Sequence, residues 1–238
     1  VSLYRDQAIV LRTYKLGEAD RIVVLLARDH GKVRAVAKGV RKTRSKFGAR
    51  LEPTSHIDVQ LYTGRGELDI VTQTEAIDSF RRIREDLDRY NRAMTMLEAV
   101  DHLAQDGEPA PRIYQMLLGA LRTLETSNPP LVMAGFFWKL LALEGFSPML
   151  DQCASCGAVE SLAAFDIGHG GVLCESCRRG LPISTEALRL LRSVLGGRLG
   201  DALEEPESPA ATELENLATR SVEHVLERRL RSAGLLGA

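Results

Sequence analysis

The sequence is short of several things, and each shortage narrows what the chain can be. Aromatic residues make up only 5%, so a core has to rest on Leu, Val, Ile and Ala. The longest apolar run, Leu131 to Trp138, stops at Lys139, far below the roughly 20 residues a bilayer-spanning helix needs. No apolar h-region follows Arg5 and Asp6, so no secretion signal is expected. There is no net basic excess: 31 Lys+Arg face 32 Asp+Glu, a formal charge of −1, unlike the usual footprint of a nucleic-acid binder. Signature motifs of common enzymes (GxxxxGKS/T, HExxH, GxSxG, GxGxxG) are missing as well. Asp20, Asp58 and Asp69 are scattered rather than grouped, which fits surface solvation better than a nuclease site. A protein that is not an enzyme is therefore expected, with a metal-dependent nuclease kept as an alternative.

What is present is ordinary globular material: 238 residues, 45% hydrophobic and 26% charged. A soluble, cytoplasmic protein of one large domain or two to three small ones is expected. The first 80 or so residues read as β. Ala8 to Leu11 precedes a polar bend at Lys15 to Asp20, and Arg21 to Leu26 follows. Asp29-His30-Gly31-Lys32 reads as a hairpin connection, with Gly31 supplying positive φ. Val33, Ala35 and Ala37 then alternate with Arg34, Val36 and Lys38, only partly keeping a period of two. His56 to Tyr62 and Glu67 to Ile77 complete five short strands, which fit a small barrel of the OB type.

Near Phe80 the apolar period becomes helical. Leu87, Tyr90, Met94, Leu97 and Val100 mark a helix to about Gln105, and Ile113 to Leu124 a second. Pro129 and Pro130 open a third, to about Leu143, with Gly145 as its stop. Phe136, Phe137, Leu140, Leu141 and Phe146 form a dense apolar patch there, read as core, with a partner groove as the alternative. Ser184 caps a helix through Leu195, Gly196 to Pro209 is loop-like in places, and a last helix covers about Ala211 to Arg231. His56, His102 and His224 show no partner spacing and receive no role. The fold class is thus α+β: an OB-fold barrel (1–80), a helical domain (81–150 and 183–238) and a cysteine insert (151–182).

All four cysteines lie in that insert. Cys153-Ala-Ser-Cys156 and Cys174-Glu-Ser-Cys177 form C-x2-C-x17-C-x2-C, a spacing that lets two knuckles present four sulfurs to one tetrahedral zinc ion. Four thiolates close the coordination shell and leave no place for an activated water, so the site reads as structural. Two CxxC redox pairs, an iron–sulfur cluster or degenerate cysteines are the alternatives. His169 lies between the knuckles, where a fifth ligand is not required.

Charge is unevenly distributed. Lys32, Arg34, Lys38, Arg41, Lys42, Arg44, Lys46 and Arg50 fall in 19 residues without an acid, so this segment carries +8 and everything else −9. Gly and Ser interleave the cations, as in a loop that follows a phosphate backbone and releases counterions. Thr43 and Ser45 could donate to phosphate oxygens. Phe47 could stack on a base or pack onto the barrel.

Ala8-Ile-Val-Leu11, Leu16-Gly-Glu-Ala-Asp-Arg21 and the run Gly31 to Gly48 together resemble the RecO family of DNA repair proteins. The resemblance is specific over about residues 3 to 55. It continues more weakly through Phe136-Phe-Trp-Lys-Leu-Leu141 and Gly145-Phe-Ser-Pro148 into the cysteine knuckles. It implies an OB-fold joined to a helical domain with a zinc finger, binding to single- and double-stranded DNA, and annealing of complementary strands. It also implies RecR, RecF, single-strand-binding protein and, indirectly, RecA as partners in loading RecA onto coated gaps. Carried over by residue, the resemblance implies DNA contact on the barrel and the Lys38 to Arg50 loop and metal binding on Cys153, Cys156, Cys174 and Cys177. A sequence-specific zinc-finger regulator and a helical interaction protein are the competing classes.

Overall fold

In the computed structural model, which describes residues 2–42, 45, 47–64 and 66–235, the N-terminal strands curl shut. They are β1 (Leu3–Leu16), β2 (Asp20–Ala27), β3 (Gly31–Ala37), β4 (His56–Tyr62) and β5 (Asp69–Asp78). The barrel order is β1-β2-β3-β5-β4, with β4 returning to pair with β1. Every pairing is antiparallel except the short parallel contact of β3 with β5. This closed, OB-like barrel removes the unpaired edges that an open sheet would expose. Its interior holds Ala8, Val10, Val23, Leu25, Ile57 and Val59. Val33, Ala35 and Ala37 of β3 also point in, so the alternation of this strand is cleaner than the sequence suggested.

β1 is longer than the apolar run Ala8 to Leu11. That run is buried on both faces: Ala8 and Val10 belong to the barrel core, while Ile9 and Leu11 are buried outside it on the side that α2 packs. The flanking residues, paired on β2 and β4, extend the strand although their outer sides meet water.

Three helices follow: α1 (Arg81–Glu85), α2 (Leu87–Leu103) and α3 (Pro111–Thr126). Asp86 caps α2, its carboxylate accepting the Arg89 N–H at 3.0 Å. These helices share one compact unit with the barrel, residues 1–126 plus 230–238, and a second unit spans 127–229. Packing therefore groups more with the barrel than the expected domain of residues 1–80. The reason is chemical as well as steric. His56 on β4 bonds Asp78 on β5 at 3.0 Å and the Tyr114 hydroxyl on α3 at 2.7 Å, and Arg122 reaches Asp78 at 3.0 Å. Glu125, also on α3, accepts the Arg82 and Ile83 N–H groups at the start of α1.

The second unit contains α4 (Val132–Leu143), β6 (Leu162–Asp166), β7 (Gly171–Cys174), β8 (Leu181–Pro182), α5 (Thr185–Leu195), α6 (Leu199–Leu203) and α7 (Pro209–Val225). α4 packs on α5 and α7 and buries Phe136, Phe137, Leu140 and Leu141. That patch is core, whereas Phe146 stands 53% exposed. Ser184 caps α5 as expected, and Ser208 caps α7 ahead of Pro209. The last helix stops at Val225 rather than near Arg231. Glu227 takes φ 52°, a left-handed conformation that ends the coil. Beyond it, in the first unit, the Arg231 and Ser232 N–H groups donate to Glu98 on α2 at 3.0 and 2.9 Å. Among the described residues no helix is long and apolar enough to cross a membrane.

Candidate nucleic-acid interface and metal centre

The cations of the basic segment occupy two different settings. On β3, Lys32 and Arg34 alternate with the inward residues. Lys32 is half-buried, and its ammonium donates to the Asp101 carbonyl at 2.8 Å and pairs with Asp106 at 3.3 Å. Arg34 is exposed and lines a cavity of 640 Å³ that also holds Tyr4, His30 and Asp69. Acids dominate the polar contacts there. Tyr4 donates to Asp69 at 2.5 Å, and burial together with that carboxylate pushes the phenol pKa up. His30 bonds the buried Asp6 at 2.7 Å. Lys32 is thus held by an acid, and Arg34 shares its cavity with Asp29, Glu67, Asp69 and Asp106.

The connection from β3 to β4 is different. Its start is tied to the β1–β2 turn: Gly39 N–H donates to Asp20, Arg41 N–H to the Ala19 carbonyl, and the Arg41 guanidinium to the Gly17 and Glu18 carbonyls. Its end is held by apolar anchors. Phe47 and Leu51 are each 1% exposed inside the barrel core, and Glu52 pairs with Arg21 at 2.7 Å. Phe47 is therefore a packing residue in this structure; its ring is not presented to a base. Between the anchors Lys38 and Lys42 are exposed, as is Arg50 in the 3₁₀ turn Gly48–Leu51. Thr43, Arg44 and Lys46 lie outside the described residues. The exposed, described part of the segment presents cations to water on a backbone pinned at both ends.

Two contributors to this face carry no sequence signature. Arg84 of α1 reaches Ser55 at the end of the connection, with 2.6 Å between guanidinium and hydroxyl. His56, given no role from spacing, links β4 to β5 and α3; burial lowers its pKa against the opposing pull of Asp78. The acids considered for a nuclease are not brought together: Asp20 holds the Gly39 N–H, Asp69 the Tyr4 hydroxyl, and Asp58 stands on β4.

In the second unit the four cysteines converge. Their sulfurs all lie within 4.8 Å of one another, and those of Cys156 and Cys174 are 3.7 Å apart. The edge of a tetrahedron with metal–sulfur bonds of about 2.3 Å is roughly 3.8 Å, so the set fits one ion. A disulfide would need about 2.05 Å, and all four thiols are free. In the first knuckle Gly157 takes φ 77° and donates its N–H to the Cys153 carbonyl at 2.9 Å, closing the turn. In the second, Cys174 ends β7 and Cys177 ends the 3₁₀ turn Glu175–Cys177.

The chemistry of the donors agrees with a cation site. The N–H groups of Cys174, and then of Cys156 and Ser155, aim at the Cys153 sulfur and bring its pKa down to about 6 despite burial. For Cys156 the Ala158 N–H pulls down, but hydrogen bonds with Cys153, Cys174 and Cys177 outweigh it and push the thiol up to about 11. Sulfurs this close cannot all be thiolate without a neutralising cation, which a coordinated metal provides. His169 is outside the cluster, paired with Asp166 at 3.3 Å. Around the sulfurs the lobe's own core is small, consisting of Cys153, Ala164, Leu173 and Cys174.

Comparison with known proteins covers nearly all of the chain. A family model described as "Recombination protein O N terminal" matches residues 1–80, and one described as "Recombination protein O C terminal" matches residues 84–233. The protein named "DNA repair protein RecO" from Streptomyces coelicolor (strain ATCC BAA-471 / A3(2) / M145) is 45% identical over 244 residues, covering 98% of each chain.

Proposed function

This chain belongs to the RecO family of DNA repair proteins, and from that premise we propose that it is a recombination mediator without catalytic chemistry of its own. It binds single- and double-stranded DNA, anneals complementary strands and, with RecR and RecF, helps load RecA onto strands coated by single-strand-binding protein. Its place of action is the nucleoid in the cytoplasm.

One observation carries this reading: eight cations and no acid in the sequence from Lys32 to Arg50, which begins on β3 of a closed OB-like barrel and runs on beyond it. Two DNA strands repel each other. A cationic surface that holds both lowers that barrier and leaves base edges free to pair, so annealing needs no bond-making residue. Contact with about six phosphates of a single strand gives a slope of log affinity against log salt of roughly −4. Cys153, Cys156, Cys174 and Cys177 would hold one zinc ion whose role is to clip together a lobe with little core. A closed four-sulfur shell supplies no catalytic water.

The deciding experiment is annealing of complementary strands, with and without single-strand-binding protein. The variant to compare has Arg41, Lys42, Arg44 and Lys46 each changed to Gln. Annealing is expected to be abolished with fold and metal content unchanged, and annealing preserved at low salt refutes the reading. Cleavage of DNA with Mg²⁺ or Mn²⁺ would instead indicate a nuclease, and strong preference for one sequence a regulator.

A further inference from the structure

At the foot of the β3–β4 connection a cavity of 390 Å³ opens toward the junction of β5 with α1, lined among others by Ser45, Arg50, Asp78, Ser79 and Arg84. Arg84 is half-buried, and its hydrogen-bond partners are uncharged: Ser55 Oγ at 2.6 Å and, at the limit of bonding, Thr54 Oγ1 at 3.5 Å. A guanidinium has five N–H donors, so donors remain.

The acids around Arg84 are engaged elsewhere. Glu52 pairs with Arg21 at 2.7 Å. The two carboxylate oxygens of Glu125 take the Arg82 and Ile83 N–H groups at 3.2 Å each. Asp78, which shares the cavity, holds His56 and Arg122 at 3.0 Å each. No carboxylate among the described residues forms an ion pair with Arg84. Burial accordingly lowers its pKa from the ordinary arginine value.

A cation withdrawn from water beside neutral hydroxyls gains strongly from an arriving anion. The planar fork of a guanidinium matches two phosphate oxygens at once, and the exposed Ser79 adds a hydroxyl donor. The cavity adjoins the segment that carries the +8 charge, where a nucleic-acid backbone supplies that anion repeatedly. We propose that Arg84, with Ser79 and Arg50, forms a subsite for one backbone phosphate of a DNA strand lying along the basic segment. This rests on the DNA-binding reading of that segment and adds to it a residue from α1, outside the charge run.

The test measures anisotropy of a fluorescent oligo-dT strand with the full chain over a series of NaCl concentrations. Arg84→Gln is expected to weaken binding several-fold and to flatten the salt slope by about 0.7, the contribution of one single-strand phosphate. Arg84→Lys is expected to retain the slope because its charge remains. Ser79→Glu places a negative charge at an exposed cavity position and is expected to weaken binding with thermal stability unchanged. It decides the matter if Arg84→Gln does not fold. The loop variant with Arg41, Lys42, Arg44 and Lys46 changed to Gln serves as reference. If its slope flattens by roughly 3 while Arg84→Gln and Ser79→Glu behave as wild type, the subsite is overturned and the loop reading stands. If no variant changes the slope, the DNA reading fails and the subsite with it. Inorganic phosphate, compared with chloride at matched ionic strength, separates the remaining source. A thermal stabilisation lost in Arg84→Gln without any change in DNA slope identifies a free-phosphate pocket and overturns the proposal.

Discussion

Replacing Phe47 with Ala separates an anchor from a DNA-stacking platform. The ring is 1% exposed in the barrel core beside Leu51, and it closes the C-terminal end of the basic connection. Removing a fully buried phenylalanine costs about 3–5 kcal/mol, the lost transfer free energy plus the cavity left behind. For a urea slope of about 2 kcal/mol/M, the unfolding midpoint of the barrel-containing unit should fall by roughly 1.5–2.5 M. Phe47→Leu keeps most of the volume and should cost less than about 1.5 kcal/mol. The connection should also become more sensitive to trypsin in Phe47→Ala, since the pinned end is released while its Lys and Arg residues remain. Oligonucleotide affinity, measured well below the unfolding range, should drop far less than stability does. The reasoning fails if Phe47→Ala unfolds within about 1 kcal/mol of wild type yet binds DNA more than about tenfold more weakly. That result would put the ring on a base, where alanine substitution costs about 1–3 kcal/mol of binding.

Three further outcomes are expected. His56 has a lowered pKa because it is buried, so the unfolded chain takes up its proton first as pH falls. Its contribution to stability is therefore complete above about 6.5 and is lost as pH drops below that value; His56→Gln should flatten this part of a urea-midpoint profile, and stability that rises on acidification would contradict the assignment. Gly31 sits at φ 68°, and an added Cβ would lie 1.9 Å from the Glu108 carbonyl oxygen, so Gly31→Ala should cost about 3 kcal/mol or more. By comparison Gly17→Ala, at φ 58° with nothing within 4 Å, should cost about 1 kcal/mol, and equal losses in chemical denaturation would show that the Glu108 contact is irrelevant. Stripping bound metal with a chelator, or Cys156→Ser, should open residues 151–182 to proteolysis while the barrel's denaturation midpoint stays put, and an unchanged digestion pattern would mean the four sulfurs need no ion.

How much of this was legible beforehand depended on how many residues shared a signal. The cysteine cluster is legible because two CxxC pairs predict four converging sulfurs by spacing alone, and the sulfurs do converge. The barrel was visible because small apolar residues alternate along β3 and β4, and Gly31 marks a turn that no other residue takes cheaply. β1 extends beyond the run Ala8 to Leu11 that hydrophobicity marks, since only its centre is buried on both faces and the rest is held by backbone pairing. The small sheet of β6, β7 and β8 carries no sequence signal, its strands of 5, 4 and 2 residues being too short to show a period. Arg84 was invisible in a stretch dense with charge, Arg81-Arg82-Ile83-Arg84-Glu85-Asp86. What distinguishes it is that no carboxylate among the described residues forms an ion pair with it, which only the folded structure shows. Phe47 stood even between two roles for a similar reason, because an aromatic in a basic loop looks the same whether its ring turns in or out.

The pairing of Glu98 with the amides of Arg231 and Ser232 bears on the order in which the molecule can be completed. The first unit is written in two instalments, residues 1–126 and 230 onward, separated by the whole of the second unit. During synthesis its barrel and first three helices emerge early. The carboxylate on α2, however, waits for residues 231 and 232 before these N–H donors exist. A truncation at residue 126 thus yields a barrel unit with an unmet acceptor pair rather than a finished piece, and fusing a tag closely after residue 229 disturbs the N-terminal half of the protein. Residues from 230 onward are structural members of the unit that the barrel begins.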